Sequence, residues 1–285
     1  MRRRLSLYIS LMRLDKPVGI WLVLAPAMWG LWLASERFPP LHLIALFFAG
    51  SVVMRTAGCI ANDIADRHLD GKISRTKDRV LAHGLVKVKE AVALLIVFLA
   101  LAVLLVLQLN DLTMKLSFVA LGLALLYPFC KRITHIPQAV LGAAFAMAVP
   151  MAYAAVKGEL DQPIWLVFTA VILWTMAYDT YYAMVDREDD LKAGIKSSAI
   201  LFGEADRLVI LTLQTMALTA LWMAGLRFEL AWPFYVSLII SAGAFIYHYK
   251  ITEHYDTEQC FKAFKQNQWV GLVVWLGIVL SKLIV

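Results

Sequence analysis

The 285-residue chain has little charge and few thiols. Asp, Glu, Lys and Arg make up 17% of it, against about 25% in soluble domains. That deficit excludes an ordinary soluble fold and a disordered chain. The three cysteines, Cys59, Cys130 and Cys260, are odd in number and follow no pattern. They exclude a disulfide framework and a CxxC metal site. No internal repeat is evident. The apolar runs do not alternate polar and apolar residues over about ten positions, which excludes an outer-membrane barrel. No convincing small-residue cleavage site follows the basic start, so the first apolar run reads as a retained anchor.

What is present is apolar. Hydrophobic residues are 61% of the chain, and the mean hydropathy is +0.71. Lipid must be the solvent for much of this surface. A helix crossing a bilayer needs about 20 mostly apolar residues. Nine segments qualify: 17–34, 42–60, 91–109, 112–130, 136–156, 163–178, 208–226, 231–249 and 269–285. The fourth is short on its apolar count, which is why its start is placed near Leu112. Residues 1–16 are basic and amphipathic and read as a helix on the membrane surface. The expectation is one all-α, polytopic membrane domain over residues 1–285.

The net charge of +6 could point to nucleic acid, but its distribution points elsewhere. Alternate connections between the nine spans fall on opposite sides of the bilayer. Only Arg37, Lys115, Lys157, Arg227 and Lys282 fall on one side, and Arg55 lies inside a span. The other 21 of the 27 Lys and Arg residues fall on the N-terminal side. That asymmetry places the N-terminus and the charged loops in the cytoplasm and the C-terminus outside, in a bacterial-type inner membrane. Nucleic acid is not expected as a partner, and no obligate protein partner is evident.

Carboxylates are few and gathered. Of 21 acidic residues, Asp63, Asp66, Asp70, Asp78 and Glu90 follow the second span. Asp179, Asp186, Glu188, Asp189, Asp190, Glu204 and Asp206 end or follow the sixth. If the second span continues as a helix, Asn62, Asp66 and Asp70 fall on one face, drifting about 40° per step. Oxygen ligands stacked this way repel one another unless a cation sits between them. Mg²⁺ is usually held by a few carboxylates plus substrate phosphates. In the second cluster, Asp179, Tyr182, Asp186 and Asp190 lie within about 60° of one another, and Glu188 points the opposite way. A pair of solvated acidic loops is the plain alternative. Two helical-face clusters at the same end of the bundle argue against it: facing each other, they make a container for metal ions and a polyanion.

Basic residues interleave with the acids. Arg75, Lys77 and Arg79 follow the first cluster, and Lys192 and Lys196 follow the second. Such side chains can meet a phosphate group, or simply be positive-inside residues. Arg55 lies within an apolar span, where an Arg normally faces a polar cavity or a partner; it is also close enough to Asn62 to reach the interface. Lys131 and Arg132 follow the fourth span, either as an anchor or as a recognition site for an anionic substrate.

On these residues the sequence resembles the UbiA superfamily of intramembrane prenyltransferases. The resemblance covers nearly the whole chain. It rests on residues 13–19, the Asn62–Asp70 cluster, the run from Arg75 to Arg79, residues 127–132, Pro137-Gln138, residues 178–190, 194–197 and 260–264. The stretch 127–132 with Pro137-Gln138, together with Tyr182 to Arg187, points to the branch whose acceptor is 4-hydroxybenzoate. One departure is visible. Val80 stands where the family usually has proline after Arg79, which loosens the expected turn of that loop.

The resemblance implies a nine-helix bundle with a central cavity opening sideways to lipid. It implies Mg²⁺ as cofactor, with polyprenyl diphosphate and 4-hydroxybenzoate as substrates in ubiquinone biosynthesis. The implied metal ligands are Asn62, Asp66, Asp70, Asp186 and Asp190. Arg75, Lys77, Arg79 and Lys196 would help hold the diphosphate, with Tyr182 and Lys131 beside the substrates. Asp179 or Asp186 could serve as the base. Arg132 is the first candidate for the acceptor carboxylate and Arg55 the second. Other acceptors within the same chemistry are a menaquinone precursor, haem, chlorophyllide or a lipid glycerol. A cation-coupled transporter would carry its carboxylates near the bilayer midplane at broken helices, not at helix ends.

Overall fold

The computed structural model describes residues 2–71 and 76–284, leaving aside the side chains of Arg2, Arg3, His68, Leu69, Lys131 and Arg132. Among these residues there is no strand, and twelve α-helices account for most of the chain. They are α1 (Arg2–Leu11), α2 (Val18–Ala34), α3 (Leu41–Asp70), α4 (Val88–Val106), α5 (Asp111–Ile133), α6 (Pro137–Ala146), α7 (Ala148–Lys157), α8 (Ile164–Ala193), α9 (Ser198–Phe202), α10 (Asp206–Arg227), α11 (Trp232–Ile251) and α12 (Thr257–Ile284). With α6–α7 and α9–α10 each taken as one segment, eight are long and apolar enough to cross a membrane. The remaining apolar helix, α2, has 17 residues. The apolar runs thus form helices because 20 residues of helix satisfy every backbone polar group internally, which lipid requires.

Four spans differ clearly from the sequence expectation. The span expected over 136–156 is two helices, α6 and α7, meeting at Met147. Pro150 has no N–H for the carbonyl of Ala146, and its ring crowds that carbonyl. The flanking bonds survive: Met147 N donates to Ala143 O and Met151 N to Met147 O, both at 3.1 Å. The second and sixth spans run on well past their apolar limits, to Asp70 and Ala193. Helix α8 stops only at Gly194, whose φ of 68° lies in the left-handed region. Helix α12 begins at Thr257, twelve positions before the expected start of the last span at 269, with the Asp256 carboxylate accepting from Glu258 N at 2.9 Å.

Helices α2, α7, α8 and α12 form the core, with α3 beside α2 and α10 along α8. Trp29 of α2 stacks on Trp174 of α8 at 5.6 Å between ring centroids. Both indoles are satisfied, as burial in an apolar interior requires. Trp29 Nε1 donates to Gly271 O at 3.0 Å and Trp174 Nε1 to Asn267 Oδ1 at 2.8 Å. Without a hydrophobic force between helices, close packing must hold them together. Gly30 shows this: a Cβ there would lie 2.5 Å from Val149 O, so α2 touches α7 backbone to backbone.

Helix α4 packs on α3 and α5 on α6 and α7, while α4 and α5 meet only sparsely. Their outward side chains, such as Ile96, Leu104 and Val119, are exposed and face lipid in a spanning bundle. At the other side, α1 is pinned by Leu11, fully buried with Ile60, Val80, Leu81 and Val86. The loop after α3 is therefore anchored by its own apolar residues. Val80, in place of the family's proline, is one of them, and its carbonyl accepts from Leu85 N at 2.9 Å.

Candidate active site

The continuation of α3 and α8 beyond their apolar stretches builds the site. Together with α2, α4, α5, α6 and the start of α12 they enclose a cavity of about 1210 Å³. Its body is apolar, walled by residues such as Leu99, Val103, Phe118, Leu121 and Phe145. Helices α4 and α5 both line it yet scarcely touch each other. Its polar end carries Asn62, Asp63, Asp66 and Asp70 from α3 and Asp179, Tyr182, Asp186 and Asp190 from α8. The two acidic faces share one chamber. Glu188 is exposed and lies outside the lining.

Arginines bridge the α3 carboxylates. Arg79 Nη1 donates to both oxygens of Asp70, at 2.9 and 2.8 Å, and to Asp63 Oδ1 at 3.1 Å. Arg13 Nη2 reaches Asp63 Oδ1 at 3.0 Å from a left-handed backbone position, φ 55°. Burial raises the Asp70 carboxyl above the usual carboxylate range, against the pull of Arg79's charge and hydrogen bonds. Burial lowers the Arg79 guanidinium, but the charges of Asp63 and Asp70 outweigh it and hold it above its ordinary value. Buried carboxylates are tolerated here because the Arg79 guanidinium, through Nη1, compensates both.

Several sequence candidates are placed on the cavity wall. Arg55 lines it, its guanidinium lying over Gly19: a Cβ on that glycine would sit 2.1 Å from Arg55 Nε. The intramembrane arginine thus faces the polar chamber. Tyr182 rests on Phe264 at 4.8 Å and Phe261 at 6.1 Å between centroids. Lys196 lines the cavity and donates to Ile133 O at 3.2 Å, tying the turn after α8 to the end of α5. Lys77 is exposed and outside the lining. Arg75 lies outside the described residues, as do the side chains of Lys131 and Arg132.

Other residues in the chamber were not nominated for the site from the sequence. Asp63 is one position off the nominated α3 face. Its binding to Arg13 and Arg79 bridges 50 and 16 positions of chain, so spacing alone could not reveal it. The available signal was the carboxylate itself, buried at 3% exposure, which had to find a cation. Glu258 and Lys265 enter because α12 starts early. Outside the chamber, Arg187 pairs with Asp206, fully buried on α10, and also donates to Gly203 O at 3.2 Å. This pair fixes α8 against α10 and leaves Asp186 and Asp190 on the opposite side.

The donor set suits a hard divalent cation. Asn62 Oδ1 is buried with no hydrogen-bond partner among the described residues, and an unused amide oxygen beside carboxylates is a ready ligand. No three His, Cys, Asp or Glu side chains among the described residues are gathered closely enough to hold an ion by themselves. Mg²⁺ accepts such a site, because it takes one or two carboxylates and completes its shell with phosphate and water.

Comparison with known proteins agrees with this architecture. The profile of the UbiA prenyltransferase family matches residues 23–275. A curated 4-hydroxybenzoate octaprenyltransferase from Saccharophagus degradans is 51% identical over 284 residues, covering 100% of this chain and 95% of that protein. The apo structure of a UbiA homologue from Aeropyrum pernix K1 superposes with a TM-score of 0.81 at 26% identity, covering 92% of this chain and 97% of that one. A UbiA homologue from Archaeoglobus fulgidus, solved bound to GPP and Mg²⁺, superposes at 0.71 with 18% identity, covering 96% and 99%.

Proposed function

The chain belongs to the UbiA prenyltransferase family, and from that premise we propose that it transfers a polyprenyl group from polyprenyl diphosphate to 4-hydroxybenzoate. The bond forms at the ring carbon ortho to the hydroxyl, and the products are 3-polyprenyl-4-hydroxybenzoate, diphosphate and a proton. The reaction belongs to ubiquinone biosynthesis, and the protein spans the bacterial inner membrane with its N-terminus and chamber on the cytoplasmic side. The curated relative at 51% identity over the whole chain carries this reading of the acceptor. The observation that carries the chemistry is the cavity: an apolar body joined to a carboxylate-lined end. Its volume of about 1210 Å³ exceeds the roughly 300–1,000 Å³ of small-molecule pockets, as a long lipid donor requires.

Asn62, Asp66, Asp70, Asp186 and Asp190 are the residues that would hold Mg²⁺, a reading supported by their sharing one chamber and by the buried, unpartnered Oδ1 of Asn62. The metal supplies charge neutralisation for the leaving diphosphate. The chain's own residues do the rest. Arg79, with Arg75 and Lys196, meets the phosphate oxygens; Arg79 must loosen its hold on Asp70 to do so. The apolar wall positions the isoprenoid and excludes water from the allylic centre. The aromatic face of Tyr182 borders that centre, where a π surface tolerates developing positive charge. Arg132 and Arg55 are the cations for the acceptor carboxylate, with Lys131 beside them. Asp179 or Asp186 takes the ring proton.

An acceptor comparison tests this. Membranes containing the protein are given labelled polyprenyl diphosphate and Mg²⁺, with 4-hydroxybenzoate or with phenol, which lacks the carboxylate. A prenylated product from 4-hydroxybenzoate alone is expected. Equal transfer to phenol would remove the arginine–carboxylate pairing, and transfer only to an unrelated acceptor would move the protein to another branch of the family.

A further inference from the structure

The end of the bundle opposite the carboxylates has a pocket of its own. It holds about 390 Å³ among the ends of α2, α7, α10 and α12 and the start of α8. The positive charge of this face converges there. It has five Lys and Arg residues, and three of them, Lys157, Arg227 and Lys282, line the pocket from three different helices. Three carboxylates line it too: Glu36, Asp161 and Glu229.

These opposite charges share the pocket without closing on one another. None of the three cations makes an ion pair within 4.0 Å or a side-chain hydrogen bond among the described residues. Asp161 instead accepts from the Tyr153 hydroxyl. Glu229 holds its place at φ 52°, a left-handed conformation that favours glycine. That conformation ends α10, with Leu230 N donating to Gly225 O at 2.9 Å, and it leaves the Glu229 carboxylate at the pocket rim.

The depth is that of lipid headgroups, since all the helices that line the pocket end or begin there. Leu226, Leu283 and Ile284 beside it are exposed apolar side chains. We propose that this pocket binds the headgroup of a zwitterionic phospholipid with a primary ammonium, such as phosphatidylethanolamine. The phosphate lies among Lys157, Arg227 and Lys282, and the ammonium donates to Glu36 and Glu229. A pocket with three charges of each sign suits a ligand that carries both. A purely anionic headgroup or free phosphate leaves the carboxylates facing nothing, and a quaternary choline has no N–H to give them.

The test uses the full chain, purified and delipidated in detergent. Phosphatidylethanolamine, phosphatidylglycerol or phosphatidylcholine is added at equal mole fraction, and retained lipid is counted by native mass spectrometry. Retention of phosphatidylethanolamine is expected about tenfold above the other two, the worth of one charge-assisted contact. K157A/K282A should lose that retention. E36Q/E229Q, which keeps shape, should erase the preference over phosphatidylglycerol while still binding phosphate. Equal retention of the three lipids by the unmodified protein overturns the proposal. So does an unchanged preference in E36Q/E229Q, or displacement of phosphatidylethanolamine by inorganic phosphate at the same concentration, which marks a free-anion site.

Discussion

Arg79 grips Asp70 by both carboxylate oxygens, at 2.9 and 2.8 Å, while the same Nη1 reaches Asp63 at 3.1 Å. One guanidinium therefore compensates two buried carboxylates and closes the loop after α3 onto the helix that carries the first acidic face. It is also within the chamber where a diphosphate would arrive.

Removing that guanidinium should cost both stability and turnover. Arg79→Ala leaves two buried carboxylates with less compensation, a loss of about 3 kcal/mol. The expected result is a lower melting temperature in detergent and a raised KM for the diphosphate donor. Arg79→Lys should recover part of the melting temperature and less of the activity, because a compact ammonium on a flexible stem does not hold the position of the planar guanidinium between the two carboxylates. Unchanged stability in Arg79→Ala would show that the Asp63–Arg79–Asp70 cluster carries no structural weight.

Arg55 should act on the acceptor. Its guanidinium lies over Gly19 and faces the chamber from inside the membrane segment. Arg55→Ala is expected to raise the KM for 4-hydroxybenzoate by about tenfold, the worth of one charge-assisted contact. The donor KM should move less, and Arg132→Ala should show the same pattern. A larger effect on the donor KM in steady-state kinetics would reassign the residue to the diphosphate.

The packing between α2 and α7 leaves no room for a side chain at position 30. Gly30→Ala puts a Cβ about where it would lie 2.5 Å from Val149 O, so the helices must separate. Overpacking of this kind costs about 1–3 kcal/mol. Thermal unfolding in detergent should show the loss, and Gly50→Ala, where a Cβ meets nothing within 4 Å, should not.

Much of this was readable in the residues, for particular reasons. The apolar runs announced the helices, because lipid leaves the backbone no alternative. The spacing of Asn62, Asp66 and Asp70, and of Asp179, Tyr182, Asp186 and Asp190, carried both faces on the condition that the helices continue; α3 and α8 do continue, and both faces line one cavity. The break at Met147 was masked by an unbroken apolar run, although Pro150 was its cause. The partners of Asp63 were hidden for another reason: Arg13 and Arg79 are distant in sequence and look like ordinary positive-inside residues. The early start of α12 could not be seen either, since its first turns are polar and gave no hydropathy signal, yet they bring Glu258 and Lys265 to the chamber.

The carboxylates of the two faces should be needed for chemistry more than for folding. Asp66→Ala and Asp190→Ala are each expected to lower turnover by about 100-fold or more while the protein still extracts and melts as a folded membrane protein. Chelation with EDTA should silence the unmodified enzyme, and added Mg²⁺ should restore it. Near-normal turnover in either variant would remove that residue from the metal set.

The most direct measurement is a membrane assay with radiolabelled 4-hydroxybenzoate, a polyprenyl diphosphate and Mg²⁺, run on the unmodified protein and on Asp66→Ala. Movement of label into a lipid-soluble product, lost in the variant, is the predicted result and fixes reaction and site together. Absence of product from intact protein across several donor lengths would contradict the assignment of 4-hydroxybenzoate as acceptor; product formed equally by Asp66→Ala would contradict the assignment of the site.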